Sequence, residues 1–425
     1  MVDKTSIFRK FLRRFFFIFS PFFVFLIISI SFFKIIRIGM LSSERIGELV
    51  SRLEIYLSER KLKIIDNDVL DLFFFNDKIS NKTYGDLISK KINIISNLFL
   101  FPIYKLILIL SFKFKFFNKF LIETKSEDNN FSILQTNNNI VLSPNFLKKG
   151  EEFLEKLKIK QNDKIVCLIV REKAYLEKVD NNSNHDYHNY RNCKFDNFIP
   201  MINKLTELGY YVFRMGAIVE KKYDLNNSKF IDYANLHRTD YLDIFLAHRC
   251  NFCITTGTGW DLVPGLVFRK PMIWTNLVPP GNFATYSDKF LFTTKIHKDK
   301  KNNSFLSLKE ISDRGLAYSF TQKKYDDENV ELIENTPEDL IKLVDEIIEL
   351  INNKDNFEIK ENNMIKKFWK RYNEVFLIDN LSEFSEKKEN LEKLRLQCTS
   401  QRIFKGKNIS YFSPSFLKKN LFLLK

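Results

Sequence analysis

Arg171 and Arg214 each follow a short apolar run, KIVCLIV at 164–170 and YYVF at 210–213, and a third run, FCIT at 252–255, leads into Thr256-Gly257-Thr258-Gly259. Runs of this length and composition read as buried strands. If the three lie parallel in one sheet, their carboxyl ends bring two guanidinium groups and a flexible turn to one rim. Guanidinium grips phosphate bidentately, and turn amides at a helix N-terminus favour an anion such as a diphosphate. The whole stretch 251–276, NFCITTGTGWDLVPGLVFRKPMIWTN, reads as a strand, a glycine-rich turn, a helix over 261–268 and a second strand over 271–275. Arg191, in the polar loop after the first strand, could reach the same rim. The turn is neither a Walker loop nor a GxGxxG fingerprint, so an ordinary structural βα turn is the alternative. For each arginine the alternative is a surface ion pair.

Other reactive residue types point to less. Cys167, Cys193, Cys250, Cys253 and Cys398 do not make a disulfide framework for a chain of 425 residues, and a reducing compartment fits them better. Cys250-x-x-Cys253 has the spacing of a redox or zinc pair, yet no second pair completes a tetrahedral site. Cys253 also falls inside an apolar strand, which predicts a buried structural cysteine. His185 and His188 lie in HDYHNYR without an HExxH helix. No DxD motif lies between residues 151 and 355, where the nucleotide would bind, so neither a metal nor a resident cofactor is expected.

The elements that must position these groups alternate. After the strand at 164–170 come a helix over 197–208, a strand over 210–213, a helix over 240–248 and the strand at 252–255. That order implies a parallel sheet. A helix over 151–157 precedes it, and Thr336-Pro337 starts a strong helix through 350, with threonine as N-cap and proline at the first position. Nearer the N-terminus, 34–38 reads as a strand ending at Gly39, 42–60 as a helix, and Ile64-Ile65 as the next strand. Residues 128–139 are polar and turn-rich, a loop or linker.

Residues 15–33 carry no charge, and at about 1.5 Å rise per residue a helix of that length nearly matches a hydrocarbon core of about 30 Å. This is a membrane segment, spanning or interfacial. Basic residues flank it on both sides, so charge does not set its orientation. A second apolar region, 92–122, is interrupted by Lys105, Lys113, Lys115 and Lys119 with phenylalanines between the last three. Such interleaving suits a helix in the headgroup layer of an anionic membrane, or single-stranded nucleic acid. The apolar N-terminus favours the membrane. The net charge of +15 agrees with an anionic partner, although Lys- and Asn-rich coding bias accounts for part of it.

Several segments together resemble a family of bacterial glycosyltransferases with a GT-B-like organisation and distant fucosyltransferase-like motifs. They are RIGMLSSERIGELV at 37–50, VCLIVREKAYL at 166–176, YRN at 190–192, GYYVFRMG at 209–216 and DYANLHRTDYLDIFLAHRCNFCITTGTGWDLVPGLVFRKPMIWTN at 232–276. The resemblance implies an α/β fold of two Rossmann-like domains facing a cleft, with residues 1–34 as membrane anchor or interfacial helix, 35–150 as acceptor domain, 151–355 as donor-binding domain and 356–425 as a helical tail. It maps Arg171, Tyr190, Arg191, Arg214, Gly216, Asp232, Arg238, Asp240 and the turn Thr256, Gly257, Thr258 and Gly259 as donor-binding residues. The sequence departs from the family at two points: Ile169 stands where histidine is expected before Val-Arg, and Glu48 stands where histidine is expected after the second RIG. Glu48 is then the candidate base.

The expected activity is metal-independent transfer of a sugar from a nucleotide-sugar donor to a surface-polysaccharide or glycolipid acceptor, saccharide or lipid-linked, at the cytoplasmic face of an anionic membrane. The donor is a substrate, so no cofactor is called for. The competing expectation is a catalytically inactive membrane-associated adaptor that keeps the fold. Nucleic-acid binding rests only on charge and aromatics, with no recognisable module, and is not expected.

Overall fold

The computed structural model describes residues 4–66, 68–76, 78–126, 128, 130–174, 186–281, 285, 287–376, 403–404 and 407–425. The chain divides into two compact units, Met1–Ile140 and Val141–Lys425, so the first helix of the second unit begins earlier than the expected boundary at 150. His185, Cys398 and the expected tail helix beyond Phe376 lie outside the described residues.

Unit 1 is built on three parallel strands, β1 (Ile35–Leu41), β2 (Val69–Phe75) and β3 (Asn93–Ile94), in that spatial order. Gly39 does not end β1. A Cβ there would stand 3.0 Å from Ile122 and from the Phe73 ring, so the glycine serves close packing inside the strand. Ile64 and Ile65 are not strand either. Their amides return to the Glu59 carbonyl at 3.0 and 3.4 Å and close helix Ile46–Lys61, with Lys63 left-handed at φ 58°. The polar centre of the unit is Asp71, which takes Arg37 Nε and Nη2 on its two oxygens at 2.7 Å each, together with Arg60 and the Tyr56 hydroxyl. Residues 128–139 are not an open linker. Asp128 accepts the Ser132 and Ile133 amides at 2.8 Å and caps a short helix, Ser132–Gln135, inside the unit.

Helix Lys4–Ile30 and helix Asn97–Lys113 pack along one another and onto β1 and β2. Their shared core is Val24, Ile27, Leu100, Ile103 and Ile107 with Ile38 and Phe74. Among the described residues the first of these is long and apolar enough to cross a membrane, over Phe11–Ile30.

Unit 2 holds a seven-stranded sheet: β4 (Lys164–Ile169), β5 (Tyr210–Arg214), β6 (Phe230–Ile231), β7 (Phe252–Thr255), β8 (Met272–Leu277), β9 (Phe290–Thr294) and, from the far end of the chain, Ser410–Phe412. Every pairing in it is parallel. The strands are buried on both faces by helices, which is why their sequences run apolar without alternation. Across the sheet the order is Ser410–Phe412, β9, β8, β7, β4, β5, β6. From β4 the chain therefore builds outward to β6, then returns to the other flank of β4 and builds the opposite way. That reversal makes the gap between β4 and β7 the topological switch point of a doubly wound sheet.

A smaller antiparallel sheet of β10 (Ile296–Asp299), β11 (Ser304–Phe305) and β12 (Val330–Ile333) follows β9. Helix Pro337–Asn352 starts at Thr336 with a full capping box to Asp339. The C-terminal region is not a separate helical tail. Helix Lys354–Phe376 lays Phe368 and Trp369 on Phe292 of β9, and Phe412 of the last strand stacks on Phe368 at 4.1 Å.

Candidate functional site

The rim at the switch point is assembled by main-chain and hydroxyl bonds between the ends of β4 and β7. The Thr256 amide donates to the Ile169 carbonyl at 3.3 Å, and the Arg171 amide donates to Thr256 Oγ1 at 2.8 Å. One residue thus fastens both strand ends. Beyond it, Thr255 Oγ1 accepts the Gly257 amide at 2.9 Å and donates to Asp261 Oδ2 at 2.6 Å, while the Thr258 amide donates to the same oxygen at 2.8 Å. Burial pushes the Asp261 carboxyl up to about 6, with the Thr255 and Thr258 bonds pulling the other way.

Gly257 is required in this turn. Its φ is +82°, and a Cβ would stand 2.6 Å from Cζ2 of Trp274. The expected helix over 261–268 is reduced to a single π turn, Val263–Val267, because Pro264 and Gly265 break a regular helix. Two of the turn amides, Gly257 and Thr258, are already spent within the turn. The short helix expected after the turn is thus a single π turn, and the charged side chain bonded to the turn is Arg191. Among the buried polar atoms of the turn region, Thr258 Oγ1 and Trp274 Nε1 have no hydrogen-bond partner among the described residues.

Arg191 is the side chain brought to the turn. It ends the 3-10 segment Asp186–Arg191 and donates from Nη2 to the Gly257 carbonyl at 2.6 Å. Its loop is held from below by Lys295, whose buried Nζ donates to the carbonyls of Tyr190 at 3.0 Å and Asn192 at 2.6 Å. The Cys193 amide bonds the Arg171 carbonyl at 3.0 Å, and the Tyr190 ring stacks on Tyr325 at 5.6 Å. Burial raises the Tyr190 hydroxyl, and the charges of Arg191 and Arg171 act against that rise, so both cations lie in its field. Arg171, Tyr190, Arg191 and Thr256 to Gly259 form one cluster.

The remaining expected residues are engaged elsewhere. Arg214 is 1% exposed, with its guanidinium bonded to Glu172 Oε2 at 2.9 Å, Asp232 Oδ1 at 3.4 Å and the Lys221 carbonyl at 2.7 Å. The rings of Phe195 and Tyr223 lie 4.3 and 4.7 Å from it. Facing two carboxylates and two rings, Arg214 spends its charge inside the fold and is not bonded to the Thr256 to Gly259 turn. Asp232 is likewise filled by Arg214, the Tyr223 amide at 2.9 Å and Asn235 at 2.8 Å. Gly216, at φ +153°, lets the chain turn past Val219 after β5. Arg238 bridges Asp240 at 3.2 Å and Asp243 at 3.0 Å beside helix Asp240–Arg249, so this pair secures the helix start rather than the turn. In unit 1, Glu48 is 45% exposed and accepts Arg52 Nε at 2.8 Å, one helical turn away.

Sequence reasoning missed Lys295, Asp261 and Glu172. Asp261 had a signal, since an acidic residue just after a TGTG turn is placed to bond the turn's own amides. Lys295 and Glu172 had none. Cys167, Cys193, Cys250 and Cys253 are free and buried, with Cys167 and Cys253 opposite one another on β4 and β7.

The fold and the rim define an α/β protein with a doubly wound parallel sheet whose switch point is flanked by Arg171, Arg191 and the Thr256 to Gly259 turn. No family model matches the chain, and no curated protein matches it. Among solved structures it is similar to the ADP-heptose LPS heptosyltransferase II of E. coli, with 11% identity and a TM-score of 0.35 over 61% of this chain and 90% of that one. It is also similar to a glycosyl transferase family 9 protein of Veillonella parvula, with 11% identity and a TM-score of 0.37 over 60% of this chain and 83% of that one.

Proposed function

We propose that the chain is a membrane-associated glycosyltransferase of the cytoplasmic face, moving a sugar from a nucleotide-sugar donor to a saccharide or lipid-linked acceptor of a surface polysaccharide or glycolipid. One observation carries this reading: Arg171, Arg191 and the Thr256 to Gly259 turn meet at the switch point of the unit 2 sheet. Ligands of doubly wound sheets bind in that crevice. Two guanidinium groups there suit a diphosphate, and they stabilise the charge that builds on it as the sugar leaves, with no metal needed. The buried free cysteines agree with the reducing compartment where nucleotide sugars are found.

The acceptor hydroxyl must lose its proton as its oxygen bonds to the sugar carbon and the nucleoside diphosphate departs. Glu48 is our assignment for that base. Its pairing with Arg52 across one turn of an exposed helix face is the geometry of an ordinary surface carboxylate, and it favours the second reading, an inactive adaptor that keeps the fold.

The test is thermal stabilisation of purified protein by ADP-, UDP-, GDP- and CMP-linked sugars. A donor that binds the native state raises the melting temperature, and Arg191→Ala removes the effect. If none of these donors shifts melting, the donor site is lost. If one shifts melting and Glu48→Gln still transfers sugar at the wild-type rate, the assignment of Glu48 is lost and the enzyme reading stands.

A further inference from the structure

Helix Lys4–Ile30 is long and apolar enough over Phe11–Ile30 to cross a membrane, yet unit 1 does not leave it as a free rod. Ser20, Val24 and Ile27 are buried, and Phe16, Phe23 and Ile28 are half-buried, spacings that make one stripe along the helix. The stripe is covered by helix Asn97–Lys113. Phe16 and Phe23 both meet Phe99 edge-on, at 5.7 and 4.9 Å, and the Arg13 guanidinium lies 5.1 Å from the Phe101 ring. That second helix in turn buries Leu100, Ile103 and Ile107 against Ile38 and Phe74 of the sheet. Helix Asn97–Lys113, backed by the sheet, therefore occupies one side of the apolar helix from about Arg13 to Ile28. A helix that spans alone is surrounded by lipid through a core about 30 Å deep, and the attached layer leaves no room for that.

The opposite side is bare and apolar. Phe15, Ile18, Phe19, Phe22, Phe25 and Leu26 are exposed, Ile18 at 73% and Phe25 at 65%. Ile109, Phe112, Phe114 and Phe116, on or just after the second helix, are exposed as well. Exposed cations stand with it: Arg14 on the first helix, and Lys105, Lys113, Lys115 and Lys119 on or just after the second. Lys119 reaches back over the Phe116 ring at 4.2 Å, so its stem lies on apolar surface while its charge stays outward. Apolar side chains that enter the acyl layer, with lysines at phosphate level, are the pattern of an interfacial helix on anionic lipid.

We infer that helix Lys4–Ile30 does not cross the bilayer but lies along it, docking unit 1 onto an anionic lipid surface through its exposed phenylalanine face and the adjoining lysines. This rests on the membrane association proposed above and is independent of the donor site. It fixes one leaflet as the protein's partner and places both ends of the helix on the same side.

The test uses the full chain with an epitope tag at its N-terminus. In flotation, wild type is expected to bind phosphatidylcholine vesicles containing phosphatidylglycerol, with about tenfold weaker binding to phosphatidylcholine alone. Ile18→Asp/Phe22→Asp/Phe25→Asp is expected to lose flotation at an unchanged melting temperature, since all three side chains point outward. Protease added to sealed vesicles should remove the tag and digest the rest of the chain alike. Protection of the tag with digestion of the rest means a spanning helix, and overturns the in-plane placement while membrane association survives. Absence of flotation overturns both, and a stable dimer in solution that buries the same three positions would assign the face to a second copy of the chain.

Discussion

Arg191 and Gly257, 66 positions apart, are joined by a 2.6 Å hydrogen bond from the guanidinium Nη2 to the turn carbonyl. The bond fixes a cation at the turn beyond the end of β7 without using the carboxylate beneath the turn. Lys295 makes this possible by holding the loop on both sides of Arg191.

Truncation of either rim arginine should weaken nucleoside diphosphate binding far more than it weakens the fold. A hydrogen bond to a charged group contributes about 1.5–3 kcal/mol, so Arg191→Ala and Arg171→Ala are each expected to raise Kd roughly 10- to 100-fold. Calorimetric titration with ADP, UDP and GDP reads this directly. Equal affinity in wild type and both variants would remove the arginines from the site.

Arg214 should behave in the opposite way. Its removal leaves Glu172 and Asp232 buried without their counter-ion, a change that costs about 3–5 kcal/mol in folding stability. Denaturant unfolding of Arg214→Ala measures the loss, and adding Glu172→Gln and Asp232→Asn should restore part of it. A variant as stable as wild type but unable to bind nucleotide would return Arg214 to the site.

The contrast between these arginines shows what the sequence could reveal. Both Arg171 and Arg214 follow continuous apolar runs, and the strands β4, β5 and β7 were legible because strands buried on both faces need no polar alternation. The partners of Arg214 were not legible, since Glu172 and Asp232 lie 42 and 18 positions away and only tertiary folding brings them in. Strand order was hidden for the same reason, and with it the switch point. Ser410–Phe412 is three residues long and carries no periodicity, so its place at the sheet edge emerges only from its pairing with β9. In the turn, Pro264 and Gly265 are visible in the sequence, and they confine the following helix to Val263–Val267 despite its apolar content.

Gly257 offers a test of the turn that separates strain from crowding. Alanine at φ +82° costs about 1–3 kcal/mol whatever the space, and its methyl would also meet Trp274 at 2.6 Å. Gly257→Ala should therefore be less stable than wild type by more than the backbone cost alone. Gly257→Ala/Trp274→Leu removes the obstacle and leaves the backbone cost, so the two substitutions should couple favourably in a double-mutant cycle. Simple additivity of the two would mean that Trp274 does not limit position 257.

Asp261 gives the turn a pH signature whose sign follows from burial. Its carboxyl is raised from the ordinary aspartate range to about 6 in the folded state, so between about pH 4 and pH 6 the folded chain holds a proton that the unfolded chain has released. Stability from this group is present below that window and is lost as pH rises through it, on the order of 3 kcal/mol for a shift of about two units. Arg191 limits the shift by its positive charge, and Thr255 and Thr258 limit it by their bonds to Oδ2. His297, buried and lowered to about 4, works against it in nearly the same window, because the unfolded chain there takes up the proton that the folded imidazole refuses. Asp243, which burial also raises to about 6, adds to Asp261, so the wild-type curve alone mixes opposed contributions. Asp261→Asn keeps an acceptor for Thr255 and Thr258 and removes the titration, so the stability difference between Asp261→Asn and wild type should move in favour of the variant from pH 4 to pH 7. Urea unfolding at both pH values measures it, and a difference independent of pH would mean that Asp261 titrates alike in the folded and unfolded chain.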